Sequence, residues 1–232
     1  ADAIVRDEWY DGNVSRRKAG VLARVAPTFL RFGSFQLAAK RQGIDGVLRL
    51  ARFVLEALGR MEASDDAATA YLSGLSVDVP QDVRQDCFFG ARERPTCAVK
   101  PLGSTAAVLS CLLVLVVKRT AALVASWMSV GFVHGVLNTD NMSILGVTLD
   151  MNVFGFLTDF DLNFASNFID DEDRYSFGAQ PEVVYWNLEQ LSYAFTGRAY
   201  ENDSERDASS WMLADKDRWL PQDEAAGALS IF

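Results

Sequence analysis

The chain has 232 residues, half of them hydrophobic and 23% charged, with a formal net charge of −9. That length buries a sizeable core in one or two domains. The acidic balance excludes a basic nucleic-acid-binding face, but leaves room for a nucleotide site built on a few well-placed cations.

Residues 3–9 read as a short strand and Tyr10-Asp11-Gly12-Asn13 as a turn. Residues 20–26 alternate weakly and suit a second strand, ended by Pro27. Residues 28–41, with Phe29, Leu30, Phe32, Phe35 and Leu37, start a helix capped by Thr28 or Ser34. Residues 44–58 space Val47, Leu50, Ala51, Val54 and Leu58 as one helical face. Residues 59–103 hold Asp65, Asp66, Pro80, Gly90, Pro95 and Pro101 with little period; they read as a variable loop region with one helix over 67–75.

Residues 104–130 read as a helix. Its apolar run AAVLSCLLVLVV is shorter than the ~20 residues a membrane span needs. It leads into Lys118-Arg119 and a helical pattern of Leu123, Val124 and Trp127, so a buried core helix is expected and no membrane span. Loop and hairpin follow over 134–150, an acidic loop over 160–176, and a helix over 182–195 (EVVYWNLEQLSYAF), on which Tyr185 and Trp186 read as core. The tail from Gly197 is polar, with Trp211 and Trp219 as anchors. Cys87, Cys97 and Cys111 lack metal-ligand spacing and read as reduced thiols. The N-terminal ADAIVRDEWYDG has no signal-peptide character, and without an initiator Met the chain reads as a piece of something longer.

Chemistry concentrates in HGVLNTDNMSILGVTLD, residues 134–150. Asp140, Asn141 and Asp150 supply hard oxygen donors that suit Mg²⁺ or Mn²⁺, ions usually held by one or two carboxylates plus substrate phosphates. The alternative is an Asx-turn network that shapes the loop. Arg24 and Arg31, in ARVAPTFLRFG, form either a bidentate phosphate clamp or two surface ion pairs. His134, the one histidine, is a proton carrier or a ring that fixes the loop; its apolar neighbours Phe132 and Val133 favour the latter.

The stretches RDEWYDGN, GVLARVAPTFLRFGSFQ, RTAALVASWMSVGFVHGVLNTDNMSILGVTLD, FGFL and RYSFGAQPEVVYWNLEQL together resemble the selenoprotein O, or YdiU, family. They span residues 6–40 and 118–195, with HGVLNTDNMSILG the most specific. The resemblance implies an α+β, protein-kinase-like fold, here partial: the end of the small lobe and a mostly α-helical large lobe. It divides a single domain of residues 1–232 into a small-lobe remainder (1–33), a large lobe (34–200) with a poorly matching insertion at about 60–117, and a polar tail (201–232). It implies transfer of AMP from ATP, bound in flipped orientation, to Ser, Thr or Tyr hydroxyls of protein substrates. Asp140 would take the proton, Asn141 and Asp150 would hold Mg²⁺ or Mn²⁺, and Arg24, Arg31 and Asp150 would meet the phosphates. The family's glycine-rich loop, its ATP-contacting Lys and the Glu paired with that Lys fall upstream of RDEWYDGN, so a fragment is expected. An inactive kinase-like binding fragment, or UMP or phosphoryl transfer on the same scaffold, is the alternative. The family's compartment is mitochondrial in eukaryotes and cytoplasmic in bacteria.

Overall fold

The computed structural model describes residues 2–6, 14–18, 23–62, 105–197 and 220–232. β1 (Asp2–Arg6) pairs antiparallel with β2 (Val14–Lys18), in a register running from Asp2 opposite Lys18 to Arg6 opposite Val14. The expected strand over 20–26 is absent at 23–26, which run without regular structure. The partner strand is instead VSRRK, whose charged residues carry no apolar alternation to mark it. The turn expected at 10–13 and the helix expected over 67–75 lie outside the described residues, as do Cys87, Cys97, Trp211 and Trp219.

α1 (Phe32–Glu62) joins the two helices expected from the sequence. It breaks at Gly43, where φ is 59° and ψ is −153°, a backbone state that a residue without Cβ enters cheaply. Ser34, an expected cap, reaches back from the first turn to accept from the Arg31 N–H at 3.2 Å, and Thr28 accepts from the Leu30 N–H at 3.2 Å. Phe32, Phe35, Ala39, Val47, Ala51 and Val54 lie on the buried face of α1.

α2 (Thr105–Val130) is the keel of the molecule. At 26 residues it is, among the described residues, the one helix long and apolar enough to cross a membrane. Its longest apolar run understated that length, yet 72% of its most apolar window is buried inside the protein. Residues 108–114 are buried without interruption, because α1, α3 (Gln180–Thr196) and α4 (Gln222–Leu229) pack around this helix. A helix apolar all round is stable only with such cover. Each fully buried Leu or Val contributes about 1.5–3 kcal/mol relative to exposure.

Directly after α2, β3 (Phe132–Val133) pairs antiparallel with β4 (Gly155–Phe156). The two strands bracket the polar loop between them. α3 starts with Pro181 in its first turn and packs along α1, with Phe35 edge-on to Phe195 at 5.3 Å. α4 went unread in the sequence; its short apolar set Ala225, Ala228 and Leu229 closes against α2 and α3. Among the described residues the architecture is α+β, with two small two-stranded sheets and a helical core.

Two sequence expectations fail on α3. Tyr185 and Trp186 are not core: both are more than a third exposed, Tyr185 packing on Phe232 and Trp186 lying under the Arg174 guanidinium. Their neighbours Val184, Asn187 and Leu188 occupy the inward arc instead, and a helix cannot bury four consecutive positions on one side.

Candidate functional site

The first turn of a helix carries backbone N–H groups with no partner inside the helix. In α1 two of them are taken by the polar loop: Phe32 N–H donates to the Met142 carbonyl and Gly33 N–H to the Thr139 carbonyl, both at 3.0 Å. Ile144 N–H returns a bond to Leu30 at 3.1 Å, and Arg31 and Ser143 form an antiparallel bridge. Residues 30–33 and 139–144 are therefore one strapped unit, although more than a hundred residues separate them. A Cβ at Gly33 would overlap the Asp140 carboxylate, the far end of a side chain that would have to move aside.

Within the loop, Asn138 shapes the turn. Its side-chain oxygen accepts from the Asp140 N–H at 3.1 Å and its backbone carbonyl from the Asn141 N–H at 3.0 Å. The Asx-turn reading thus holds for Asn138. Asn141 donates its amide N–H to the Val136 carbonyl at 3.1 Å, which commits the nitrogen and leaves the amide oxygen for another partner. The hairpin expected over 142–149 is reduced to a single bridge, Met142 to Thr148, around Gly146. Trp127 fastens it by donating Nε1–H to the Thr148 hydroxyl at 2.9 Å.

His134 fixes the loop. It is buried between the rings of Trp127 and Phe132, and its Nε2 lies 2.8 Å from the Leu149 carbonyl. A carbonyl only accepts, so Nε2 carries the proton and Nδ1 is left as a buried acceptor without a hydrogen-bond partner. Burial pushes the His134 pKa below its ordinary value, outweighing the Leu149 bond and the Asp150 charge, which raise it; Arg24 lowers it further. Asp150 itself follows Leu149 in the left-handed region, at φ 61°, with its side chain exposed.

Arg24, Arg31, Asp140, Asn141 and Asp150 are the residues expected at the site. The structure joins Arg31 to the Asp140–Asn141 loop by backbone pairing; no such pairing ties Arg24 or Asp150 to that loop among the described residues. Arg31 Nε is buried and has no hydrogen-bond partner, the state of a donor awaiting an acceptor. Among the described residues neither the Asp140 nor the Asp150 carboxylate has a hydrogen-bond or ion-pair partner, and no three His, Cys, Asp or Glu side chains converge as a metal cluster. The uncommitted Asn141 oxygen and the exposed Asp150 carboxylate are donors of the hard-oxygen kind that divalent cations take.

The sequence did not reveal the residues that hold this loop from behind. Gln180, wholly buried at the start of α3, accepts from the His134 N–H and donates to the Phe132 carbonyl, both at 2.9 Å. Asn187, one helical face further on, donates to the Leu137 carbonyl at 3.0 Å. Asn167 donates to the Gly135 carbonyl at 3.1 Å. The available signal was a polar residue at an inward helical position: Asn187 lies between Val184 and Leu191 on the buried stripe.

The described residues thus form an α+β fold in which a loop of oxygen donors is strapped to the segment carrying Arg31. Residues 5–210 match the family described as "Protein adenylyltransferase SelO". "Protein nucleotidyltransferase YdiU" of Xanthomonas campestris pv. campestris strain 8004 is 38% identical over 196 residues, covering 84% of this chain and 30% of that protein. The proteins of the same name from strain B100 and from Xanthomonas axonopodis pv. citri strain 306 are 39% and 37% identical, again over 30% of their length. The chain belongs to the SelO family. It spans about 30% of the length of these curated relatives.

Proposed function

We propose that this chain is part of a protein adenylyltransferase that moves AMP from ATP onto Ser, Thr or Tyr hydroxyls of protein substrates. The scaffold is read as kinase-like, with the β1–β2 hairpin as the remainder of a small lobe and α1–α4 as a partial large lobe. The observation that carries the reading is the strap between residues 30–33 and 139–144, which holds the Arg31 segment against Asp140 and Asn141.

In this reading the acceptor hydroxyl oxygen attacks the α-phosphorus and the bond to the bridging oxygen of the β-phosphate breaks, releasing pyrophosphate. Asp140, exposed and without a competing partner among the described residues, takes the hydroxyl proton. Arg24 and Arg31 bind the outer phosphates and stabilise the charge that develops on the leaving group. Asn141 and Asp150 would hold Mg²⁺ or Mn²⁺, which supplies charge neutralisation on phosphate oxygens when bound. His134, Gln180 and Asn187 keep the loop in place from the core side.

The test is label transfer to protein with Mg²⁺ or Mn²⁺ and ATP labelled on the α- or the γ-phosphate, beside an Asp150→Ala control. Protein-bound α-label that vanishes in the control is the expected result. Protein-bound γ-label alone would make the chain a phosphotransferase. The absence of both labels, on this chain and on a longer one carrying the upstream segment, would leave a binding fragment.

A further inference from the structure

The segment that follows Asp150 exposes more apolar surface than a solvated loop needs. Phe160 is 80% exposed and Phe156 55%, and Leu162 and Phe168 are each at least half exposed. These residues belong to one surface. A Cβ on Gly155 would touch Phe164 and Ser166, Phe177 and Gly178 donate to the carbonyls of Phe164 and Leu162 at 2.9 and 2.8 Å, and the Phe160 ring stands edge-on to Phe177 at 6.3 Å. Behind it, Phe156 stands edge-on to Phe132 of β3 at 5.5 Å, the strand that leads into His134 and the polar loop.

The stretch is acidic up to Arg174, an exposed cation beside Asp173 whose guanidinium lies over the Tyr175 and Trp186 rings. Between Met151 and Asp173 the sequence holds six acidic and no basic residues, with Asp159 and Asp161 interleaved among the exposed rings and the other four at residues 170–173. All six are outside the buried core. Exposed rings interleaved with Asp159 and Asp161 suit a docking surface better than a solvated loop. A second copy of this chain would bring the same acidic rim and a net charge of −9, so like charges would oppose a symmetric pairing.

We propose that the surface around Phe156, Phe160 and Leu162 docks a protein segment in which Lys or Arg alternates with large apolar residues, and so selects basic, apolar sequence around the acceptor hydroxyl. Apolar side chains of that segment cover the rings, while its cations face Asp159, Asp161 and residues 170–173. The proposal rests on a protein being the acceptor, as argued above.

The test is fluorescence anisotropy on the full chain, without nucleotide, using three labelled peptides: one alternating Lys with Leu and Phe, its Glu-for-Lys counterpart, and a Lys-Ser peptide without apolar residues. Binding of the first alone is expected. Affinity should fall at least tenfold in Phe160→Ser/Leu162→Ser and in Asp159→Asn/Asp161→Asn; Asn at 161 keeps the side-chain oxygen that accepts from the Asn163 N–H. Equal binding of the Glu peptide, unchanged affinity in both variants, or no binding of any peptide would overturn the proposal. So would a dimer in sedimentation that Phe160→Ser dissolves. AMP transfer with no peptide binding would sink this inference alone, whereas peptide binding with no label transfer by this chain or by the longer one would sink the enzymatic reading and leave the docking surface standing.

Discussion

Gly33 and Asp140 occupy adjoining space: the Gly33 N–H donates to the carbonyl of Thr139 at 3.0 Å, and a Cβ at position 33 would overlap the Asp140 carboxylate. The overlap is with the end of a side chain rather than with backbone, so the carboxylate can swing away without unfolding the helix. Gly33→Ala should therefore leave the melting temperature nearly unchanged, since alanine also favours the first helical turn. Label transfer should drop on the order of a hundredfold, the scale of a misplaced catalytic group. Full activity in Gly33→Ala would count against Asp140 as proton acceptor.

Asp150 separates stability from ligand binding. Its φ of 61° costs an ordinary side chain about 1–2 kcal/mol, less for Asp, and glycine nothing. Asp150→Gly should unfold at equal or higher denaturant than the parent chain, and Asp150→Ala at lower. Both should lose metal-dependent ATP binding in calorimetry; an unchanged affinity in either would remove Asp150 from the metal site.

The two arginines are distinguished by what they grip. Arg24→Ala and Arg31→Ala should weaken ATP more than AMP, because the contacts proposed for them are with the outer phosphates. Arg31→Ala also removes a buried, partnerless Nε, so it should not cost stability through a broken hydrogen bond there. Equal loss of both nucleotides would argue against a clamp.

His134 makes stability depend on pH. Its folded pKa is lowered by burial, so the unfolded chain binds more protons near neutrality. The contribution of neutral His134 is fully present above its ordinary value of 6.5 and is lost as pH falls from there toward the lowered folded value. Urea melts between pH 8 and pH 5 should show this decline, and His134→Gln should flatten it. An identical slope in the variant would assign the decline to other groups.

Behind the loop, Gln180→Leu takes partners from both the His134 N–H and the Phe132 carbonyl, and should destabilise by about 1–3 kcal/mol for each group left unsatisfied. Asn187→Leu leaves the Leu137 carbonyl without that donor and should cost about half as much, on the same scale. Chemical denaturation measures both; a neutral Gln180→Leu would show that water satisfies these groups instead.

How legible this was depended on which forces left a trace in residue type. The long helices announced themselves: the 44–58 stripe is on the buried face of α1, and 104–130 and 182–195 fall within a residue or two of α2 and α3. β2 and α4 did not, because VSRRK carries no alternation and QDEAAGAL only a thin apolar face. At the site, Asp140, Asn141 and Asp150 could be read as oxygen donors, and the two arginines as cations. The strap that seats Arg31 against the Asp140–Asn141 loop left no trace in residue type, because it is made by backbone groups and a peptide N–H looks the same at every position. Gln180 and Asn187 were hidden for a related reason: a polar residue on a helix reads as solvent-facing until the opposite wall is known.

The central placement of α2 also sets an order of events during synthesis. α1 leaves the ribosome with its apolar face finished, but the helices that cover it, α2 and α3, begin only at Thr105 and Gln180. Translating residues 63–104 takes on the order of seconds. For that interval Phe32, Phe35, Val47 and Val54 have none of the helical neighbours described above, and the strongly apolar α2 then emerges as their cover. The nascent chain is therefore a natural client for an apolar-binding chaperone between these two helices, and slowed translation within 63–104 lengthens its exposure to aggregation.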